Sequence, residues 1–146
     1  MTDLFQLHAE NFTAQTNAAF LSHPSYQYVQ INQQDNVLKN WLVNIFLRSI
    51  RSQVPHHLQP TYLVSSQNME YLREPLGIAN KHIGYVYLVD ENLKIRWAGG
   101  GDAKEEEVQG LERCTKVLLD RIDKAKEEKR LAREEKKAAR AAKVES

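Results

Sequence analysis

The stretch at residues 76–102, LGIANKHIGYVYLVDENLKIRWAGGGD, constrains the fold more than any other, because it holds two runs of strand character joined by a short turn. In residues 83–90 the apolar and aromatic side chains Ile83, Tyr85, Val86, Tyr87, Leu88 and Val89 are nearly continuous, the pattern of a strand covered on both faces. Asp90, Glu91 and Asn92 supply turn chemistry. Residues 93–98 then alternate apolar Leu93, Ile95 and Trp97 with polar Lys94 and Arg96, as a strand with one wet face does. The two runs predict a β-hairpin. Gly99, Gly100 and Gly101 let the backbone turn sharply after it, and Asp102 with Glu105 reads as a capping-box start to a helix.

Upstream, residues 3–21 place Leu4, Leu7, Ala14, Ala18 and Leu21 near helical spacing, with Phe5, Phe12 and Ala19 on an adjoining line. His23-Pro24-Ser25 ends the helix, since the residue before proline is pushed out of the helical region. Tyr26, Tyr28, Val29 and Ile31 predict a short strand. Val37, Leu38, Trp41, Leu42, Ile45 and Phe46 recur at three and four residues, predicting an amphipathic helix to about Arg51. A linker bracketed by Pro55 and Pro60 follows, then a strand at Tyr62, Leu63 and Val64, and a short helix capped by Ser65 or Ser66 and ended by Pro75 and Gly77. After residue 103, Val108, Leu111, Thr115, Leu118, Ile122 and Ala125 form a helical apolar stripe that fades after Ile122.

The length of 146 residues suits one domain with one core, and the 42% apolar and 27% charged shares are ordinary for a globular chain. A net charge of +1 carries no global signal for nucleic acid. Cys114 stands alone, which excludes an internal disulfide, a CxxC redox pair and a cysteine zinc cage within this chain. The apolar run 41–47 is far short of the roughly 20 residues of a membrane span. The first basic residue is Lys39, so the start does not read as an Arg-rich presequence or a signal peptide.

Candidate chemistry is sparse. Gly99 to Gly101 precede a helix as in a phosphate loop, but no Lys-Ser or Lys-Thr pair follows, and Asp102, Glu105, Glu106 and Glu107 repel an anion. His56-His57 lie on a linker with no HxxxH or HxxE partner, and His8, His23 and His82 are isolated, so no metal site and no cofactor is expected. Cys114, beside an apolar line, reads as a packing residue. No Ser, His and acid spacing suggests a triad.

Two surfaces remain open. Tyr85 and Tyr87 share one strand face by alternation and, weighed with Arg96 and Trp97, are either core beneath helices or a protein-contact surface; paired aromatics on a sheet also suit base stacking. The tail beyond Lys124 is Lys, Arg, Glu and Ala with high helix propensity. Lys129, Arg130, Arg133, Lys136, Lys137 and Arg140 make it locally basic. It is either a solvated helix extension or a contact for anionic lipid or RNA, touching a membrane without inserting.

Leu76, Gly77, Asn80, the run Gly84 to Asp90, Lys94-Ile95-Arg96-Trp97-Ala98, Gly101 and Glu105-Glu106 resemble the C-terminal signature of the mitochondrial assembly factors that chaperone subunit 6 of the F-type ATP synthase. The similarity is looser upstream, through Trp41, residues 55–60 and Arg73, and covers roughly residues 3–119. The order helix, strand, helix, strand, short helix, hairpin, helix is similar to the latter part of a thioredoxin-like fold. The fold class expected is therefore α/β, a thioredoxin-like sheet with flanking helices whose first strand is missing, ending in a long charged C-terminal helix. Such a sheet leaves an edge for a partner to fill. The domains expected are 1–122 and a charged tail at 123–146.

The resemblance implies a non-catalytic chaperone that binds newly made subunit 6 and promotes its joining to the ring of small membrane subunits. It further implies a peripheral place on the matrix side of the mitochondrial inner membrane, in contact with its lipid, and makes Gly84, Tyr85, Tyr87, Asp90, Arg96 and Trp97 signature positions. Since no presequence pattern is present, the chain is expected to be a mature or shortened form. The alternatives are an RNA- or ribosome-associated factor using the basic tail, and a redox protein whose cysteines lie upstream.

Overall fold

The computed structural model describes residues 4–33, 59–65 and 69–144. In chain order the elements are α1 (Leu4–Phe20), β1 (Gln30–Gln33), β2 (Tyr62–Ser65), α2 (Glu70–Arg73), β3 (Tyr85–Val89), β4 (Ile95–Gly100) and α3 (Glu105–Val144), with a single 3-10 turn at Gln59–Thr61 before β2. The architecture is mixed α/β with a long C-terminal helix. The described strands form two two-stranded sheets, β1 with β2 and β3 with β4. The chain divides into two compact units, one of Met1–Tyr26 with Ile83–Ser146 and one of Gln27–His82. The helix expected at 37–51 and the His56-His57 linker lie outside the described residues.

In the unit Gln27–His82, β1 and β2 run parallel with Gln30 beside Tyr62 and Gln33 beside Ser65. Asn32 Nδ2 donates to the Tyr62 hydroxyl across the pair at 3.0 Å. The strand starts later than Tyr26 because that residue is used elsewhere: its hydroxyl donates to Asn17 Oδ1 at 2.7 Å and its ring lies 6.4 Å from Phe20. After α2 the Ile78 N–H reaches the Arg73 carbonyl at 2.8 Å and the Gly77 N–H reaches Glu74 at 3.1 Å, with Gly77 at φ +67°. Those two bonds make a Schellman stop, and Gly77 holds the left-handed position it needs.

In the other unit β3 and β4 form the expected antiparallel hairpin, Tyr85 opposite Gly100, Tyr87 opposite Ala98 and Leu88 opposite Trp97, with a bulge between Leu88 and Val89. Its first strand is shorter than expected at both ends, Tyr85–Val89, and its second is shifted by two residues toward the last helix. β4 runs through Gly99 and Gly100, and the sharp turn falls on Gly101 alone, at φ +76°. The helix start is also displaced from Asp102. Lys104 accepts the first helical N–H bonds, from Glu107 and Val108, and the Glu107 carboxylate reaches back to the Lys104 N–H at 3.0 Å.

The buried face of α1 does not follow the apolar line of Leu7, Ala14, Ala18 and Leu21. Leu7 and Leu21 are exposed, as are Ala14, Ala18 and Ala19, while His8, Phe12, Thr13 and Thr16 are buried. His8, Phe12 and Thr16 stand four residues apart, so they share a face at helical spacing. The reason that polar residues suit this face is visible in the hydroxyls: Thr13 Oγ1 donates to the Ala9 carbonyl at 2.7 Å, and Thr115 Oγ1, on α3, to Leu111 at 2.8 Å. Each satisfies its oxygen on its own helix and leaves a methyl group for packing. On α3, Leu111, Thr115 and Leu119 are buried and Leu118 and Ile122 half-buried, whereas every side chain from Asp123 to Arg140 is exposed. The helix thus docks its first half and projects its second. Among the described residues no helix is long and apolar enough to cross a membrane.

Candidate functional site

The hairpin has two faces, and cross-strand pairing sorts its side chains between them. Leu88 lies opposite Trp97 and Val86 opposite Gly99, so these share one face; Tyr85, Tyr87, Ala98 and Gly100 share the other.

Trp97 anchors the first face. Its ring meets Phe12 of α1 edge-on, with centroids 5.5 Å apart and planes at 66°. A Cβ on Gly99 would sit 2.5 Å from the Trp97 ring and 3.0 Å from Phe12, so the strand comes this close to α1 only with glycine there. Gly110 of α3 passes beneath the indole, where a Cβ would lie 3.4 Å from Nε1. At the base of the hairpin the buried Gly84 N–H donates to His8 Nδ1 at 3.2 Å, and the Gly101 N–H donates to the Gly84 carbonyl at 3.0 Å. Since Nδ1 accepts, the proton resides on Nε2, which faces Asp102 Oδ1 at 3.4 Å.

The hairpin turn is organised by Asp90, whose side chain is wholly shielded from solvent. Oδ1 accepts the N–H groups of Asn92 and Lys94 at 2.8 and 2.9 Å, and Oδ2 accepts Arg96 Nε at 2.7 Å. Arg121 of α3 holds both carboxylate oxygens of Glu91 at 3.0 Å and approaches Asp90 at 3.8 Å. The Lys94 N–H, followed by the Arg96 and Asn92 bonds, lowers the Asp90 pKa from 3.8 to about 2 against the opposing effect of burial. Chemically this is a latch that ties the turn to β4 and to the last helix. Leu93, next to it, is 87% exposed and stands at φ +60°, a conformation a leucine rarely adopts.

On the outer face the Tyr85 and Tyr87 rings stack 6.4 Å apart at 11°. Tyr85 lies over Gly100, where a Cβ would meet the ring at 2.7 Å. Burial, and then the neighbouring Tyr85, raises the Tyr87 pKa. The half-buried tyrosines continue into exposed Val89 and its exposed cross-strand partner Ile95, so an apolar and aromatic strip runs along this face, and the exposed Leu93 stands in the turn beyond it.

The six signature positions therefore separate. Tyr85 and Tyr87 lie on the outer strip, Trp97 is packed on α1 with Gly84 at its base, and Asp90 with Arg96 forms the turn latch. The tail cations Lys129, Arg130, Arg133, Lys136, Lys137 and Arg140 are all exposed on the projecting part of α3. Among the described residues no cluster of three or more His, Cys, Asp or Glu is placed to hold a metal. Cys114 is half-buried on α3.

Four residues that matter here went unread in the sequence. His8 and His23, isolated in the sequence, are both engaged: His23 Nε2 meets Asp123 at 2.9 Å while its Nδ1 accepts the Ser25 N–H at 3.2 Å. Lys126 adds a bond to the Ser25 hydroxyl at 2.6 Å, fastening the end of α1 to α3. The third, Phe12, sits on the adjoining line of α1, and the i, i+4 spacing His8, Phe12, Thr16 is the signal of its burial. The fourth, Arg121, stands in a charged helix and carries no local signal.

A family model described as ATP10 protein matches residues 2–118. The chain is 36% identical over 100 residues to the mitochondrial ATPase complex subunit ATP10 of Saccharomyces cerevisiae, covering 67% of this chain and 36% of that protein. It is 38% identical over 89 residues to the Candida glabrata protein of the same name, covering 60% and 33%. It is 34% identical over 90 residues to the probable mitochondrial ATPase complex subunit atp10 of Schizosaccharomyces pombe, covering 62% and 33%. The chain thus spans about a third of the length of these curated relatives. No solved structure matches it. Because the family model accounts for most of the chain, including α1, the hairpin and the start of α3, this protein belongs to the ATP10 family.

Proposed function

We propose that the protein is a non-catalytic assembly factor for mitochondrial ATP synthase, acting peripherally on the matrix side of the inner membrane. In this reading it binds newly made subunit 6 and keeps it competent to join the ring of small membrane subunits. Support comes from the names of the relatives, each a mitochondrial ATPase complex subunit, and from the order of elements, a parallel strand pair followed by an antiparallel hairpin and a helix, which suits a thioredoxin-like scaffold.

The observation that carries the mechanism is the strip formed by Tyr85, Tyr87, Val89 and Ile95 on the outer hairpin face, with the exposed Leu93 in the turn beyond it. A membrane subunit awaiting its partners exposes apolar surface that aggregates unless covered. Covering an exposed Val, Leu or Ile contributes about 1.5–3 kcal/mol, so three such contacts yield a modest affinity once the cost of association is subtracted. A weak, reversible hold suits a factor that must release its client. No bond is made or broken.

The test is ATP synthase assembly in cells whose own protein is replaced by a Val89→Lys/Ile95→Lys variant. Both side chains are exposed, so the fold should survive. Assembled enzyme should fall while the variant accumulates normally; normal assembly would reject the strip as the client surface.

A further inference from the structure

The projecting half of α3 carries its charges in an order that composition does not reveal. At about 100° per residue, Lys126, Lys129, Arg130, Arg133, Lys137 and Arg140 fall within roughly 120° of the helix circumference. Lys136 lies at the edge of the same arc. Glu127, Glu128, Glu134 and Glu135 all fall outside it: Glu128 and Glu135 lie on the back of the helix with Leu131, and Glu127 and Glu134 lie on the flank beside Arg130. The side chains of Lys126, Lys129, Arg130, Arg133 and Lys137, with Glu134 at the rim, line one shallow groove along the helix. Arg130 is neutralised locally by Glu127 at 2.6 Å and Glu134 at 2.7 Å. Among the described residues Lys129, Arg133, Lys136, Lys137 and Arg140 have no carboxylate partner.

The geometry points to this face as a docking surface for an anionic lipid bilayer. A straight rod with cations along one side and its carboxylates confined to one flank and the back matches a flat negative plane. It matches a nucleic-acid groove poorly, since a helix lying in a groove has phosphates on both flanks and Glu127, Glu134 and Glu135 would be driven against them. The apolar residue of this segment, Leu131, points away from the cationic arc, so the helix adheres to headgroups and does not sink between acyl chains. Over the span from Lys126 to Arg140, about 21 Å, the charges can engage several headgroups at once. Attraction of this kind is additive per cation and fades as salt shortens the Debye length. The inference rests on the proposed peripheral membrane position and not on client binding, so its failure is separable: binding to lipid is measured without any ATP synthase component.

The experiment is co-sedimentation of the purified full chain with phosphatidylcholine vesicles in which phosphatidylserine is about a third of the lipid, against phosphatidylcholine alone. Three proteins are compared: wild type, Lys129→Gln/Arg133→Gln/Lys137→Gln on the arc, and Lys94→Gln/Lys104→Gln/Arg113→Gln, which removes equal charge elsewhere. Glutamine keeps helix propensity, and circular dichroism verifies the helix content. The arc variant should bind roughly 100-fold more weakly and the control should stay near wild type. Equal losses in both variants would make the attraction a matter of net charge and overturn the inference. Tighter binding to duplex RNA than to the anionic vesicles at the same ionic strength would overturn it as well.

Discussion

Nε and a terminal nitrogen of Arg96 lie 2.7 and 2.6 Å from Oδ2 of Asp90, whose side chain is closed off from water. A buried carboxylate this well provided with donors is stable only while it is ionised. Its pKa of about 2 lies below the ordinary 3.8, so its contribution to stability is complete above pH 3.8 and is lost as pH falls through 2. The Tm gap between wild type and Asp90→Asn should be constant at neutral pH and close between those two values. A gap that persists to the lowest pH would show that the ionised form is not what the turn requires.

Gly99 and Gly110 both approach Trp97 but leave different room. Gly99→Ala places a methyl group 2.5 Å from the ring, between it and Phe12, and should destabilise by about 1–3 kcal/mol. Gly110→Ala meets Nε1 at 3.4 Å and gains helix propensity, so its effect should lie between neutral and about 1 kcal/mol of stabilisation. Urea unfolding of the two variants should separate in sign.

Phe12 is 0% exposed and fills the space between α1 and Trp97. Phe12→Ala should cost about 3–5 kcal/mol in the same unfolding experiment. A loss below about 1 kcal/mol would mean that α1 is not packed on the hairpin as described.

Thr16 is 1% exposed, and its Oγ1 has no hydrogen-bond partner among the described residues. Thr16→Val removes a buried unsatisfied oxygen at constant volume and should stabilise by roughly 1 kcal/mol. Thr115→Val, which loses the bond to Leu111, should not.

The hairpin was legible in the sequence because alternation and turn chemistry agree there, and the fading stripe of α3 was legible because Asp123 and its successors leave no apolar line. The burial of α1 was not, since its alanines and leucines outnumber the residues that pack, and the buried Thr13 hides its polarity in a bond to its own helix. The glycine run read as one turn because nothing local shows that Trp97 and Tyr85 lie against Gly99 and Gly100. Arg121 reaches Glu91 across 30 residues, a relation no local pattern encodes.

The central claim is that the outer hairpin face holds an ATP synthase membrane subunit during assembly. The direct measurement is photo-crosslinking in intact mitochondria from a probe at Val89, with a probe at Glu128 on the back of α3 as reference. The account predicts that subunit 6 is trapped from Val89 while its synthesis continues, and not from Glu128. Recovery of only unrelated proteins from Val89, in mitochondria actively making subunit 6, would contradict it.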